Sequence, residues 1–209
     1  MMHRLAILLG TLLLSFQVHA AGGFVEGMNY QRIEPPQPVE AAPGTVEVIE
    51  FLWYDCQTCF VVQPALERWL AARGDMVSYR RMPAVVGGHM VFYARAFFAA
   101  ESLGVLDRVH IPIYTALHRH GRQLDNEALM AEFFAEQGID RSRFITAFRG
   151  SAAATRVRNA QLMTRRYEVQ GAPSFVINGK YRVDATMARN AEMLIEIVDW
   201  LVDRELSAR

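Results

Sequence analysis

Val46-Glu47-Val48-Ile49-Glu50-Phe51-Leu52-Trp53-Tyr54-Asp55-Cys56-Gln57-Thr58-Cys59 is the stretch that decides the fold. Val46 to Trp53 is β-rich and nearly continuous in apolar character, as a strand buried on both faces is. A helical pattern follows from about Gln57 to Arg73, with Val61, Val62, Leu66, Trp69 and Leu70 on its apolar stripe. Pro64 interrupts that pattern and predicts a kink near the first turns. The two cysteines at the strand-to-helix junction are the only ones in the chain. Cys56 falls at the helix N-terminus, where free backbone N–H groups and the helix dipole stabilise a thiolate. Cys59, one turn on, is placed to be shielded and to close a disulfide with Cys56. Such a pair supports reversible exchange through a mixed disulfide: Cys56 forms it and Cys59 resolves it.

Three other uses of the pair compete. A purely structural disulfide gains little here, because so short a loop loses little entropy in the unfolded chain. A zinc site needs two further ligands, and His118 with His120, or His89, could supply them only by coincidence of folding. An ordinary pair of buried thiols stays compatible with the motif alone.

Working outward, Met76 to Met82 reads as a second strand. Residues 89–160 differ in kind. Phe92, Ala96, Phe97 and Ala100 fall at helical spacing, as do Leu129, Phe133 and Phe134, and later Phe144, Phe148 and Ala152. Gly104, Gly121 and Gly138 punctuate the block at helix ends. The usual helix length gives about three or four helices. Strands resume at Ser174-Phe175-Val176-Ile177; Asn178-Gly179 is a strong hairpin turn, and Lys180 to Val183 returns antiparallel. A final amphipathic helix runs from about Ala188 to Glu205, with Met193, Ile197, Trp200 and Leu201 inward. The order β-α-β, helical insert, β-β-α predicts an α/β chain, thioredoxin-like, with an inserted all-helical domain. The divisions expected are a signal peptide over 1–20, an extended arm over 21–44, the first part of the thioredoxin-like domain over 45–87, the helical insert over 88–160 and the second part over 161–209.

Composition bounds the function. The chain has 209 residues, 52% hydrophobic and 21% charged, with a formal net charge of zero. It is too apolar for disorder and lacks the heptads of a coiled coil. Its basic residues are scattered, so neither nucleic acid nor an anionic membrane is an expected partner. Lys180 is the only lysine, a single candidate for Schiff-base chemistry. Arg4, the apolar run Leu5 to Phe16 and the closing Val18-His19-Ala20 have the form of a secretory signal cleaved after Ala20. The run is too short to span a bilayer, which takes about 20 apolar residues. The protein is therefore expected to be exported, most simply to the bacterial periplasm, where thiols meet an oxidising environment. Pro35, Pro36, Pro38 and Pro43 then mark an extended arm.

Gly171-Ala172-Pro173-Ser174 precedes the third strand. Pro173 could be a plain edge residue, or a cis proline that ends pairing and presents the preceding backbone to a peptide. A Cys-X-X-Cys pair upstream favours the cis form.

These residues carry a resemblance. Val48 to Cys56, then Cys59, resembles the active-site segment of the DsbA-type periplasmic thiol:disulfide oxidoreductases. Val169-Gln170-Gly171-Ala172-Pro173, leading into Val176-Ile177-Asn178-Gly179-Lys180-Tyr181, is similar to their cis-proline loop and hairpin. Ala99 to Val109 and Ile111-Pro112-Ile113-Tyr114 resemble their helical domain, so the match runs from about Gly44 to the C-terminus. It implies that Cys56 is the nucleophile and Cys59 the resolving thiol, that Pro173 is the cis proline, and that Ala172 offers backbone contacts to substrate. Glu50 matches the family's buried acid beneath the disulfide, with a proposed role in moving a proton to and from the buried thiol. The alternative for Glu50 is a surface acid at a strand end.

The departures concern redox tuning. The family's best-known members have Pro-His between the cysteines, where this chain has Gln57-Thr58. Asp55 places a carboxylate where aromatic residues are usual, and a nearby negative charge disfavours the thiolate. A milder oxidant than the strongest members is therefore expected. The resemblance implies a protein-disulfide oxidoreductase that passes its disulfide to folding exported proteins and is recharged by a DsbB-type, quinone-linked membrane oxidase. No cofactor and no metal are expected. A monomer is expected, and residues 21–44 are too short to be the dimerisation module that an isomerase usually needs. The alternatives are a reductase or isomerase of the same fold, and a redox-inactive peptide-binding, chaperone-like module. Trp53, Tyr54 and Phe60 are candidates for an apolar rim, with core packing their commoner fate. Gly87-Gly88-His89 reads as a turn, His118-Arg119-His120 as a solvated helix end, and the methionines as core filler.

Overall fold

The computed structural model describes residues 23–208, so the expected signal peptide over 1–20 lies outside the described residues. Among them, strand β1 is Gln31–Arg32 and β2 is Val46–Leu52, every residue of which is buried. Helix α1, Gln57–Arg73, leads to β3, Val77–Pro83. Strands β4, Ser174–Ile177, and β5, Tyr181–Asp184, form the hairpin, and helix α7, Ala191–Ser207, closes the described chain. The sheet order is β1-β5-β4-β2-β3. β2 runs parallel to β3, with Glu50 opposite Arg81, and antiparallel to β4, with Phe51 opposite Ser174.

Alternation along β2 explains its composition. Val46 and Val48 pack against α1 and α7, in a cluster with Leu66, Ile197 and Leu201. Ile49 and Phe51 face the other way, onto Tyr167 and Val169. With helices on both faces, a continuous apolar run is what the strand needs. Asn178 and Gly179 take φ values of 50° and 66°, the left-handed pair that a tight two-residue hairpin requires.

Between β3 and β4 lie five helices, against the three or four expected from spacing. They are α2 (Val91–Ser102), α3 (Leu106–His118), α4 (Glu127–Glu136), α5 (Arg141–Arg149) and α6 (Ser151–Arg166). Phe144, Phe148 and Ala152 look like one stripe in sequence, but Gly150 takes extended backbone and divides them between α5 and α6. Asn126 and Asp140 cap α4 and α5 through their side chains. The core of this helical block is continuous with Leu52, Tyr54 and Cys59 beneath the junction of β2 and α1.

Two further differences are informative. The arm adds a strand: β1 pairs antiparallel with β5, and the Ile33 and Gln37 amides donate to the carbonyls of Lys180 and Gly179. A two-residue Gln-Arg strand has no alternation to read, yet it covers an otherwise open sheet edge. Val61, expected on the buried stripe of α1, is 52% exposed, while Val62, Leu66 and Trp69 are buried.

Candidate active site

Cys56 is the N-cap of α1, in extended conformation at φ −100° and ψ 110°. Its Sγ accepts a hydrogen bond from the Cys59 amide at 3.2 Å and lies 3.3 Å from the Ala172 carbonyl oxygen. Cys56 is half-buried and Cys59 fully buried, and both thiols are free. The Cys59 thiol, donating to Cys56, is the largest influence lowering the Cys56 pKa from 9.0 to about 7. Burial opposes it, the backbone N–H groups of Cys59 and Thr58 reinforce it, and the Asp55 carboxylate raises the value slightly. Burial pushes the Cys59 thiol well above its ordinary value, and the neighbouring Cys56 adds to that. One sulfur is thus primed as a nucleophile and its partner held protonated.

The Ala172–Pro173 peptide bond is cis. The Ser174 hydroxyl donates to the Gly171 carbonyl at 2.8 Å, steadying the loop that carries Ala172 to Cys56. Beside this loop a cleft of about 290 Å³ is lined by Gln170–Pro173 and Asp184–Thr186. Asp55, Gln57 and Thr58 are exposed around the pair.

Glu50 is fully buried, which rules out the strand-end surface acid. Its face of β2 points at α1, so Gln63 Nε2 donates to Glu50 Oε1 at 2.8 Å and to the Cys59 carbonyl at 3.1 Å. Tyr79 donates its hydroxyl to Glu50 Oε2, and Arg81 Nε lies 3.9 Å from the same oxygen. Burial pushes the Glu50 carboxyl up, against the opposing pull of Tyr79, Arg81 and Gln63. Sequence reasoning missed Gln63, Tyr79 and Arg81. Gln63 could have been found as the polar residue one turn after Cys59, and the β3 pair by assuming parallel pairing with β2.

Two aromatic assignments need correction. Tyr54 is not a rim residue: it is 1% exposed, with its hydroxyl 3.1 Å from His110 Nδ1. His118 is not merely a solvated helix end, because its Nε2 lies 2.8 Å from the Tyr54 carbonyl oxygen and its ring stacks on Phe60. Trp53 and Phe60 are half-buried, and His89 sits edge-on to Trp53 at 5.2 Å. Among the described residues no group of three or more His, Cys, Asp or Glu side chains is arranged to hold a metal.

A central strand that delivers a Cys-X-X-Cys pair to a helix N-terminus, facing a cis-proline loop, defines a thiol:disulfide oxidoreductase of the thioredoxin fold. Residues 61–196 match the family described as DSBA-like thioredoxin domain. A thiol:disulfide interchange protein DsbA of Azotobacter vinelandii is 33% identical over 211 residues, covering 97% of this chain and 99% of that protein, and this span includes both cysteines. The DsbA of Pseudomonas syringae pv. tomato is 31% identical over 203 residues, covering 97% of this chain and 94% of its own. The crystal structure of Pseudomonas aeruginosa DsbA superposes with a TM-score of 0.81 at 31% identity, over 88% of this chain and 96% of that one. The oxidoreductase DsbA from Xylella fastidiosa gives 0.78 at 31% identity, over 86% and 96%. The chain belongs to the DSBA-like thioredoxin family.

Proposed function

We propose that this oxidoreductase works as a disulfide donor to folding exported proteins, with Cys56 as the exchanging sulfur. In the oxidised form a substrate thiolate attacks Cys56 Sγ, and the Cys56–Cys59 bond breaks. Cys59 leaves as a thiolate and takes up a proton. A second substrate thiolate then attacks the substrate sulfur of the mixed disulfide and releases Cys56 as a thiolate. The substrate loses two electrons and the enzyme gains them. The observation that carries this reading is the placement of Cys56 Sγ between the α1 N-terminus and the Ala172 carbonyl, 3.2 Å from one amide and 3.3 Å from the oxygen. A low Cys56 pKa makes Cys56 the better leaving group and stabilises the reduced enzyme, which favours donation.

Ala172 and Pro173 present backbone to the incoming peptide, and the adjoining cleft accommodates its side chains. Glu50 moves a proton to or from Cys59, with Gln63 linking its carboxyl to the Cys59 backbone. Asp55 weakens the thiolate, while Gln57 and Thr58 bring no charge to support it, so the oxidant is a mild one. The domain divisions at 45–87, 88–160 and 161–209, the signal over 1–20 and a periplasmic site of action belong to the same proposal. So do a monomeric state and recharging by a DsbB-type, quinone-linked membrane oxidase.

The test is trapping. A Cys59→Ser chain, loaded as a mixed disulfide and offered a reduced unfolded protein, is expected to transfer through Cys56 alone. A Cys56→Ser chain is expected to do neither. Exchange surviving in Cys56→Ser contradicts the assignment, and peptide binding without exchange in the native chain points to a chaperone-like module.

A further inference from the structure

Helix α3 grips the reactive segment on both flanks of the cysteine pair. His118, its last residue, holds Nε2 2.8 Å from the Tyr54 carbonyl oxygen. The His118 ring lies nearly parallel to Phe60, with centroids 5.7 Å apart and planes 18° apart. One turn back, Tyr114 stacks on the same Phe60 at 5.9 Å and 27°. One turn further, His110 Nδ1 meets the Tyr54 hydroxyl at 3.1 Å. Positions 110, 114 and 118 share one helix face. Tyr54 stands two residues before Cys56 and Phe60 one residue after Cys59, so the clamp brackets the whole loop.

The chemistry of the pairing fixes the proton. A carbonyl oxygen only accepts, so Nε2 of His118 carries the hydrogen whether or not the ring is charged. Tyr54 and Asp55 form the turn that leads into α1, and the Cys56 amide donates back to the Trp53 carbonyl at 3.1 Å. The direction of the Tyr54 carbonyl therefore sets how the chain enters Cys56. The stacked ring holds the other end, where the Phe60 amide donates to the Cys56 carbonyl at 3.2 Å. Arg119 also rides over the Phe60 ring at 5.5 Å.

We propose that His118 is a positioning residue for thiol exchange: its Nε2–H holds the Tyr54 carbonyl, and through that turn keeps Cys56 Sγ in register with the α1 amides and the Ala172 carbonyl. The inference rests on the exchange reading above. It gives the helical block a part in the chemistry beyond covering the core.

Three variants separate the contributions. His118→Phe keeps a stacking ring and removes the donor; His118→Gln keeps an N–H at similar reach and removes the ring; His120→Ala, at an exposed neighbour, is the control. The readouts are thiolate absorbance of Cys56 against pH, the rate at which the reduced chain attacks a disulfide-bonded peptide at pH 6, and thermal unfolding. His118→Phe is expected to raise the Cys56 pKa by about half a unit to one unit, the size of one net hydrogen bond expressed on the thiolate. Attack by Cys56 is then expected to slow about two- to threefold, because the fall in thiolate fraction outweighs the gain in intrinsic nucleophilicity. His118→Gln is expected to stay near the native pKa and rate, and His120→Ala to match the native chain. A folded His118→Phe chain with native pKa and rate overturns the proposal, as does a His118→Gln chain that shifts as far as His118→Phe. Should His118→Phe not fold, His118→Leu takes its place as the donorless variant: a raised Cys56 pKa supports the donor role, and native pKa and rate in the folded His118→Leu chain overturn it. Absence of any dithiol transition in the native chain would instead sink the exchange reading.

Discussion

The Sγ of Cys56 lies 3.3 Å from the carbonyl oxygen of Ala172, across 116 residues of sequence. That contact joins the start of α1 to the cis-proline loop and sets two opposing influences on one sulfur. The carbonyl can only accept, so it favours the neutral thiol. The Cys59 thiol and the amides of Cys59 and Thr58 can donate, so they favour the thiolate, and together with the opposing burial the balance falls to about 7. An incoming peptide that pairs with the loop backbone meets the sulfur at the same place.

Reduced-state stability should therefore rise with pH. Cys56 ionises near 9.0 when its environment is lost and near 7 when folded. Its contribution is fully present above the unfolded value and is lost as pH falls through the folded one. Partial exposure tempers the gain to on the order of 1–2 kcal/mol. Urea unfolding of the reduced native chain and of reduced Cys56→Ser, at pH 6 and pH 8.5, measures it. Equal pH slopes in the two chains would contradict the assignment.

Asp55 is exposed, and its carboxylate is the smallest of the influences named on Cys56. Asp55→Asn is expected to lower the Cys56 pKa by a few tenths of a unit, as for a charge in high dielectric. The redox midpoint should move to more oxidising values in step. Salt titration checks the cause, because an exposed charge is screened and the difference between the two chains should shrink.

How far the fold was legible depends on the element. β2, α1 and the β4–β5 hairpin each have a signal that local residues carry alone: an unbroken apolar run, a paired-cysteine start and an Asn-Gly turn. The α5–α6 division was hidden because Phe144, Phe148 and Ala152 keep helical spacing across Gly150. β1 was hidden because two polar residues have no period. At the site, Cys56, Cys59, Pro173 and Glu50 announce themselves by residue type. Gln63, Tyr79, Arg81 and His118 do not, since what places them is strand register and the docking of α3, both non-local.

Glu50→Gln is expected to be more stable than the native chain at neutral pH. The folded carboxyl is held above 4.5, chiefly by burial, while the unfolded one ionises at its ordinary value. Native stability must then decline as pH rises from 4.5 through the folded value, and the amide lacks that decline. Thermal unfolding at pH 4 and pH 7 should show the advantage at pH 7 only. If exchange with Cys59 still proceeds at the native rate in this variant, Glu50 has no part in proton transfer.

His110 sits against Tyr54 with its pKa lowered to about 3, first by burial and then by the charge of Arg81. The folded ring stays neutral while the unfolded one takes a proton below 6.5. Stability should fall as pH drops from 6.5 toward about 3, with this group contributing up to about 1.4 kcal/mol per pH unit. His110→Gln keeps an acceptor for the Tyr54 hydroxyl and should flatten that part of the slope. Acid unfolding followed by circular dichroism checks it, and an unchanged slope would contradict a neutral buried ring.

The most direct test of the central claim is the redox equilibrium of the purified chain lacking residues 1–20 against a glutathione series, with the free Cys56 and Cys59 thiols counted by alkylation. A single reversible two-electron transition, with a midpoint more oxidising than the glutathione couple, is the result expected of a disulfide donor. A midpoint well below that couple would contradict donation and make the protein a reductase. The absence of a dithiol transition would contradict exchange altogether.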